Sequence, residues 1–193
     1  IESRVGGEPR QKAEGELLFA QYGLSGTAVL DVSESLSIAL NREGRSDTTV
    51  VVDFFPFMSE KEAAAELARR LAAGWAPKDL VSGLLPEKFS VFLPQLLGEV
   101  SDGSGKRVDA ESARKLALLL KAREFQVQGT RGWNEAEFTS GGVDAREVRP
   151  GTLESKLRPG LYLAGEVLDV QGGRGGFNLA WAWASGFVAG LGD

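Results

Sequence analysis

Residues 161–178 read LYLAGEVLDVQGGRGGFN: an apolar run breaks into the carboxylates Glu166 and Asp169, then into a glycine cluster that leads into an apolar, helix-like segment. A strand that ends in glycines and enters a helix lets backbone N–H groups approach a ligand closely. It also meets that ligand with the positive end of the helix dipole. Such a hinge suits a phosphate, a carboxylate or the electron-rich edge of a flavin-type ring. The alternative is structural: residues 172–176 form a flexible turn, and Glu166 and Asp169 are solvated loop carboxylates. Spacing alone leaves both readings open.

The rest of the composition narrows the chemistry. Among 193 residues there is no cysteine and no histidine, which removes thiol nucleophiles, Cys- or His-based metal sites and Ser-His-Asp triads. Catalysis would need carboxylates, Lys, Arg, Tyr or a cofactor. A net charge of -5, from 22 basic and 27 acidic residues fairly evenly mixed, gives no basic stripe for a nucleic acid. The uncharged run 175–192 approaches membrane-spanning length, but its glycines, Asn178 and Ser185 favour a buried helix over a span. No G-x-G-x-x-G unit follows a strand, and GSGKR at residues 103–107 lacks the distant glycine and the Ser/Thr of a phosphate loop, so it reads as a loop. The chain opens at Ile1 and its one methionine is Met58, so a preceding N-terminal portion is expected.

The first sixty residues read as strands and turns. GELLFA ends one strand at Ala20, GLSGTAVLDVS is a turn followed by a short helix, and residues 41–47 form a polar turn before the β-branched run 48–52. At Ser59 the period changes. Ser59 with Glu62 three residues on is a capping box, and Gly74 is a stop. PKDLVSGLL, PEKFSVFLPQLLGEV and DAESARKLALLLKA supply up to three further helices, with Asp109 as a cap. REFQVQGTRGW and NEAEFTS return to alternation as a half-buried strand pair. The pattern predicts an α+β chain in which a helical unit interrupts a β unit. Residues 161–164 are expected to be a buried strand. The last helix, with Ala182, Gly186 and Gly190 at four-residue spacing beside Leu179, Trp183 and Phe187, is expected to be buried.

GLYLAGEVLDVQGGRGGFNLAWAWASGFVAG resembles the C-terminal flavin-binding signature of the bacterial NAD(P)/FAD-dependent oxidoreductases of the BaiN/YhiN-like flavoprotein family. GELLFAQYGLSGTAVLDVS and FTSGGVDAREVRPGTLESKLRPG resemble other parts of that family in the same order, so the likeness runs along essentially the whole chain. It departs at Thr27, where the family usually has proline, and at Phe177, where tyrosine is common.

The resemblance implies an inserted β-barrel-like domain (1–58 and 123–138), a small helical subdomain (59–122) and the C-terminal strand and helix of a split FAD-binding α/β domain (139–193). The dinucleotide-binding βαβ unit would lie in the missing N-terminal portion. By position, Gly165 and Glu166 would lie near the ribityl and pyrophosphate region, with Asp169 beside them. Gly175, Gly176, Phe177, Asn178 and Leu179 would present the helix N-terminus to the flavin ring, and Thr139, Gly141 and Gly142 would flank the same cleft. The implied activity is hydride transfer between NAD(P)H and a small organic substrate through FAD, in a cytoplasmic enzyme that needs neither metal, nucleic acid nor membrane. No catalytic side chain is identified, and Arg174 and Lys156 read as solvated charges. A different expectation holds for the chain by itself: a non-enzymatic substrate-binding or protein-interaction module.

Overall fold

The structure, a computed structural model, describes residues 1–100 and 109–191. The 103–107 loop lies outside the described residues. Strands β1 (Glu2–Val5), β2 (Glu8–Lys12), β5 (Thr48–Val52) and β6 (Arg123–Gln126) form one antiparallel sheet in the order β2-β1-β5-β6. A separate hairpin joins β3 (Leu18–Ala20) to β4 (Gly23–Ser25). Among the described residues both sheets are open, so there is no closed barrel: β2 and β6 remain edges. The alternation read at 123–127 is real, and Phe125 and Val127 pack against Val32, Leu36 and Val50. Their strand pairs with β5, however. The expected partner of that strand, NEAEFTS, makes no strand: a short 3-10 turn forms at Trp133–Glu135, the outer edge of β6 stays unpaired, and residues 131–137 are all exposed, so this stretch has no buried face to dock there.

Helix α1 (Thr27–Ser37) lies against β1 and β2 and continues into a π-helical turn at Ile38–Arg42, where a polar turn was expected to begin. Its start depends on Gly26, at φ 99°. A Cβ there would meet the Glu16 carbonyl oxygen at 2.4 Å, the same oxygen that accepts the Ala28 N–H.

Helix α2 (Glu60–Ala72) begins with the full capping box. Glu62 N–H donates to Ser59 Oγ at 3.2 Å, and Ser59 N–H donates to the Glu62 carboxylate at 2.8 Å. α3 (Leu93–Val100) and α4 (Ala110–Lys121) follow, the latter capped by Asp109, whose carboxylate accepts the Ser112 N–H. Only one 3-10 turn, Pro77–Asp79, forms where a helix was expected over PKDLVSGLL. Gly83 adopts φ 76°, and Arg70 draws that stretch inward by donating to the Leu80 and Ser82 carbonyls. Phe55, Leu67, Leu80, Leu93 and Leu116 make the largest core of the chain here. Lys121 ties this unit to the sheet, bonding Asp53, the Phe55 carbonyl and the Met58 carbonyl.

After residue 138 the chain is mostly loop around a small core of Val148, Leu153 and Leu168, and it ends in α5 (Phe177–Leu191). Residues 161–164 are not a buried strand. Tyr162 makes a lone bridge to Glu154, and Leu161 is exposed, because no adjoining strand runs beside them. Nor is α5 buried. Trp181, Val188 and Ala189 pack on the small core and Ser185 is enclosed, but Leu179, Trp183, Phe187 and Leu191 are 61–75% exposed. Among the described residues no helix is long and apolar enough to cross a membrane.

Candidate functional site

Two loops cross where the carboxylates sit. Val143 N–H donates to the Val167 carbonyl and Asp169 N–H to the Val143 carbonyl, both at 2.8 Å, making a one-residue parallel bridge. Asp169 Oδ1 accepts the Gly141 N–H at 3.0 Å, and the Glu166 carboxylate accepts the Thr139 N–H. Each carboxylate thus fixes the backbone of residues 139–141. The Gln171 side-chain amide and then the Gly141 N–H hold the Asp169 carboxyl below its ordinary pKa, since both donate to the charged form. Gly142 is required for the crossing: at φ 147°, a Cβ would stand 2.5 Å from the Val167 carbonyl oxygen.

Gly165 is clamped from α5 by both of its polar groups. Its N–H donates to Ser185 Oγ at 2.8 Å, its carbonyl accepts from Trp181 Nε1 at 3.2 Å, and Ser185 donates back to the Trp181 carbonyl. Beyond it, Asn178 closes residues 172–178 into a loop. Its Oδ1 accepts the Gly172 N–H at 2.7 Å and its Nδ2 donates to the Gly172 carbonyl at 3.0 Å. Gly175 and Gly176 take φ 109° and 91° to turn the chain into the helix.

The bond from Ala180 N–H to the Gly176 carbonyl starts the helical ladder, so the amides of Phe177, Asn178 and Leu179 precede any intrahelical acceptor. No acidic side chain occupies this first turn, and a Cβ on Gly173 or Gly176 would meet nothing within 4 Å. The positive end of α5 is therefore open to an incoming anionic or electron-rich group.

Arg174 is not simply a solvated charge. It makes a two-pronged pair with Asp31 of α1, at 2.7 and 2.9 Å, which lowers the Asp31 pKa and anchors the hinge to the sheet-bearing part of the chain. Lys156 donates to the Arg146 carbonyl and stays exposed. The Arg174–Asp31 pair spans 143 residues of sequence, so no local spacing could have revealed it.

Arg174 of that pair also borders a cavity of which no local pattern carries a sign. About 1120 Å³ in volume, it lies between the β3–β4 hairpin, α1, β6 and residues 127–140. Phe19, Leu24, Leu30, Val50, Phe125 and Phe138 supply its apolar walls, and Ser140 and Arg174 its hinge end. Across its lining, Arg131 sits 4.2 Å over the Tyr22 ring while pairing with Glu135. Thr139, Gly141, Gly142, Gly165, Glu166 and Asp169 meet around one crossing, while Gly175 to Leu179 stand at the α5 entrance. No group of three or more acidic side chains that could hold a metal ion occurs among the described residues.

Comparison with known proteins places the chain in a family. Over 178 residues, 91% of this chain and 43% of the relative, it is 34% identical to a 3-dehydro-bile acid delta(4,6)-reductase of Clostridium scindens. It is 36% identical to a ribosomal RNA dihydrouridine synthase of Escherichia coli over 89% of this chain and 40% of the relative. The Haemophilus influenzae enzyme of the same name matches at 33%, over 91% and 41%. The chain thus spans roughly two fifths of each relative's length. The profile of the HI0933-like protein Rossmann domain matches residues 15–192, and the chain belongs to that HI0933-like family.

Proposed function

We propose that this chain forms the substrate side and the flavin-ring side of an FAD-dependent oxidoreductase that saturates a ring double bond, with NADH or NADPH as the electron source. The observation that carries the reading is the start of α5: three amides without intrahelical acceptors, behind two positive-φ glycines that follow Arg174, which lines a large cavity. Bound FAD would supply two-electron hydride chemistry, which explains how a chain without His or Cys takes part in redox catalysis.

The donor set fits that group. Gly175, Gly176, Phe177, Asn178 and Leu179 would face the ring, where the helix N-terminus stabilises the negative charge that develops on hydride uptake. Gly165, Glu166 and Asp169 would support the ribityl and pyrophosphate side, the carboxylates acting through the backbone they hold. Thr139, Gly141 and Gly142 would shape the adjoining wall. Both kinds of enzyme among the relatives are named for adding hydrogen to a ring C=C. For this chain the corresponding reaction would place a hydride, supplied by the reduced flavin at the expense of NADH or NADPH, on one carbon of the C=C and a proton from solvent on the other, the carbon–carbon π bond being the bond that breaks.

In this reading residues 1–58 and 123–138 with the helical insert 59–122 form the substrate side, and residues 139–193 close the flavin domain. The exposed Leu179–Trp183–Phe187 line of α5 packs on the partner that carries the dinucleotide grip, an N-terminal portion outside these residues, in a cytoplasmic enzyme. Alone, with that face and the sheet edges uncovered, the chain behaves as a binding module, and FAD titrated into it binds weakly or not at all. Co-expression with the N-terminal portion should give a yellow, flavin-bearing complex. A well-folded complex without flavin would sink the reading. In that complex Gly176→Val, placed at φ 91°, should lose flavin retention more than it loses stability.

A further inference from the structure

We infer that the 1120 Å³ cavity takes an uncharged, largely apolar fused-ring compound with one hydrogen-bonding end, and not a nucleotide of an RNA chain. The inference rests on the flavin reading for its catalytic meaning and on the cavity alone for its ligand class.

Three features of the lining decide the class. The first is charge. The two lining cations are both engaged, Arg174 by Asp31 and Arg131 by Glu135, while Glu34, Glu135 and Glu137 contribute three carboxylates. A phosphate chain entering here would have to break one of those pairs and approach the remaining acids. RNA recognition instead relies on Lys and Arg that are available to neutralise phosphates.

The second is the wall. Leu24, Leu30, Val50, Phe125 and Val127 make a lining that releases water from apolar ligand surface but offers few base-edge partners. The third is size. A volume above about 1,000 Å³ is at the top of the usual range for small-molecule sites and far exceeds what one flipped pyrimidine would fill.

Polarity is concentrated at the hinge end. Ser140 Oγ stands 3.5 Å from Glu34 Oε1, and Glu34 Oε2 accepts from Gln11. The Ser140 backbone lies between the Thr139 and Gly141 amides that Glu166 and Asp169 hold. Its hydroxyl is therefore presented on a fixed segment, suited to a ligand carbonyl or hydroxyl lying next to the start of α5.

The test uses the full chain and two probes, androst-4-ene-3,17-dione as the uncharged fused-ring ketone and an oligouridylate as the polyanion, with methyl NMR of Leu24, Leu30 and Val50 as the readout. The ketone should shift these methyls saturably. Leu30→Trp and, independently, Ser33→Phe should weaken it by about tenfold or more. Ser140→Ala should weaken it less. Trp183→Glu combined with Phe187→Glu should leave it unchanged, which separates the cavity from the exposed face of α5. Oligouridylate shifting the same methyls at lower concentration than the ketone would overturn the inference, as would ketone shifts confined to α5 or absent altogether. The flavin reading is tested apart from this, by the colour of the complex with the N-terminal portion, so its failure and the failure of this inference are read in different experiments.

Discussion

Gly141 and Gly142 are adjacent, both have positive φ (106° and 147°), and they should respond very differently to alanine. At Gly141 a Cβ meets nothing within 4 Å, so Gly141→Ala adds only backbone strain, about 1–3 kcal/mol. At Gly142 the new Cβ would lie 2.5 Å from the Val167 carbonyl oxygen and 3.2 Å from the Asp169 nitrogen, both rigid backbone atoms. To relieve that contact the two loops must part. Parting them breaks the 2.8 Å bonds Val143 N–H to Val167 and Asp169 N–H to Val143. At about 0.5–1.5 kcal/mol each, these add about 1–3 kcal/mol to a similar strain, for a total of about 2–6 kcal/mol. Urea unfolding of the two variants, read as midpoints with the m-value held in common, measures the difference directly. Gly142→Ala should have the lower midpoint by about 1 M if the gap is near 2 kcal/mol. Equal midpoints would mean that φ alone decides the cost and that the close approach of 142 to 167 is not what holds the crossing together.

Other outcomes follow from the same contacts. Ser185→Ala leaves the Gly165 N–H without its buried acceptor and should cost about 1–3 kcal/mol in urea unfolding, although the side chain lost is small. Asp31→Asn removes one charge of the pair that anchors the hinge; the amide signals of residues 172–176 should broaden or shift while the unfolding midpoint barely moves, since the pair is partly solvated. Arg69, and then Arg70, pull the Glu66 carboxyl from 4.5 down to about 2. Because its folded value is depressed, its stabilising contribution is complete above 4.5 and fades as pH falls towards 2. The stability gap between the native chain and Glu66→Gln should close over that window in a pH series of unfolding curves. Trp183→Glu with Phe187→Glu should leave stability within about 0.5 kcal/mol and lower concentration-dependent association by light scattering, because both side chains are exposed in this chain.

What could be read from the sequence was what is encoded locally. The capping box at Ser59, the Asp109 cap and the β-branched strand Thr48–Val52 each depend on residues within a turn of one another. Expectations failed where the deciding contacts lie far away in sequence or are not among the described residues. NEAEFTS has strand-like residues, but residues 134–137 stay exposed and bury no face beside the free edge of β6. The apolar run 161–164 carries strand composition with no neighbouring strand to complete it. α5 has the composition of a buried helix, yet Leu179, Trp183 and Phe187 are uncovered among the described residues. The cavity was invisible for the same reason, since its walls come from the hairpin, α1, β6 and the 127–140 segment together.

The carboxylates of the hinge show why residue type alone could not assign a role. Glu166 and Asp169 looked equally suited to touching a ligand or to idling in solvent, and the structure gives them a third occupation, each accepting a backbone N–H from the 139–141 segment. An ionised carboxylate that accepts an amide proton holds that amide more tightly than a neutral acceptor would, and Gly141 and Gly142 supply the positive φ values that let the segment pass so close. The order of dependence then runs outward from the glycines. Gly142 permits the crossing, Glu166 and Asp169 lock it, and Ser185 and Trp181 fix Gly165 against α5. Ser140 and the start of α5 are thereby held on one rigid frame although 37 residues of sequence separate Ser140 from Phe177. In the function proposed above, a hydride-transferring ring and its substrate would have to be held within a fraction of an ångström of a productive distance, a demand that a frame built from backbone hydrogen bonds meets better than mobile side chains do.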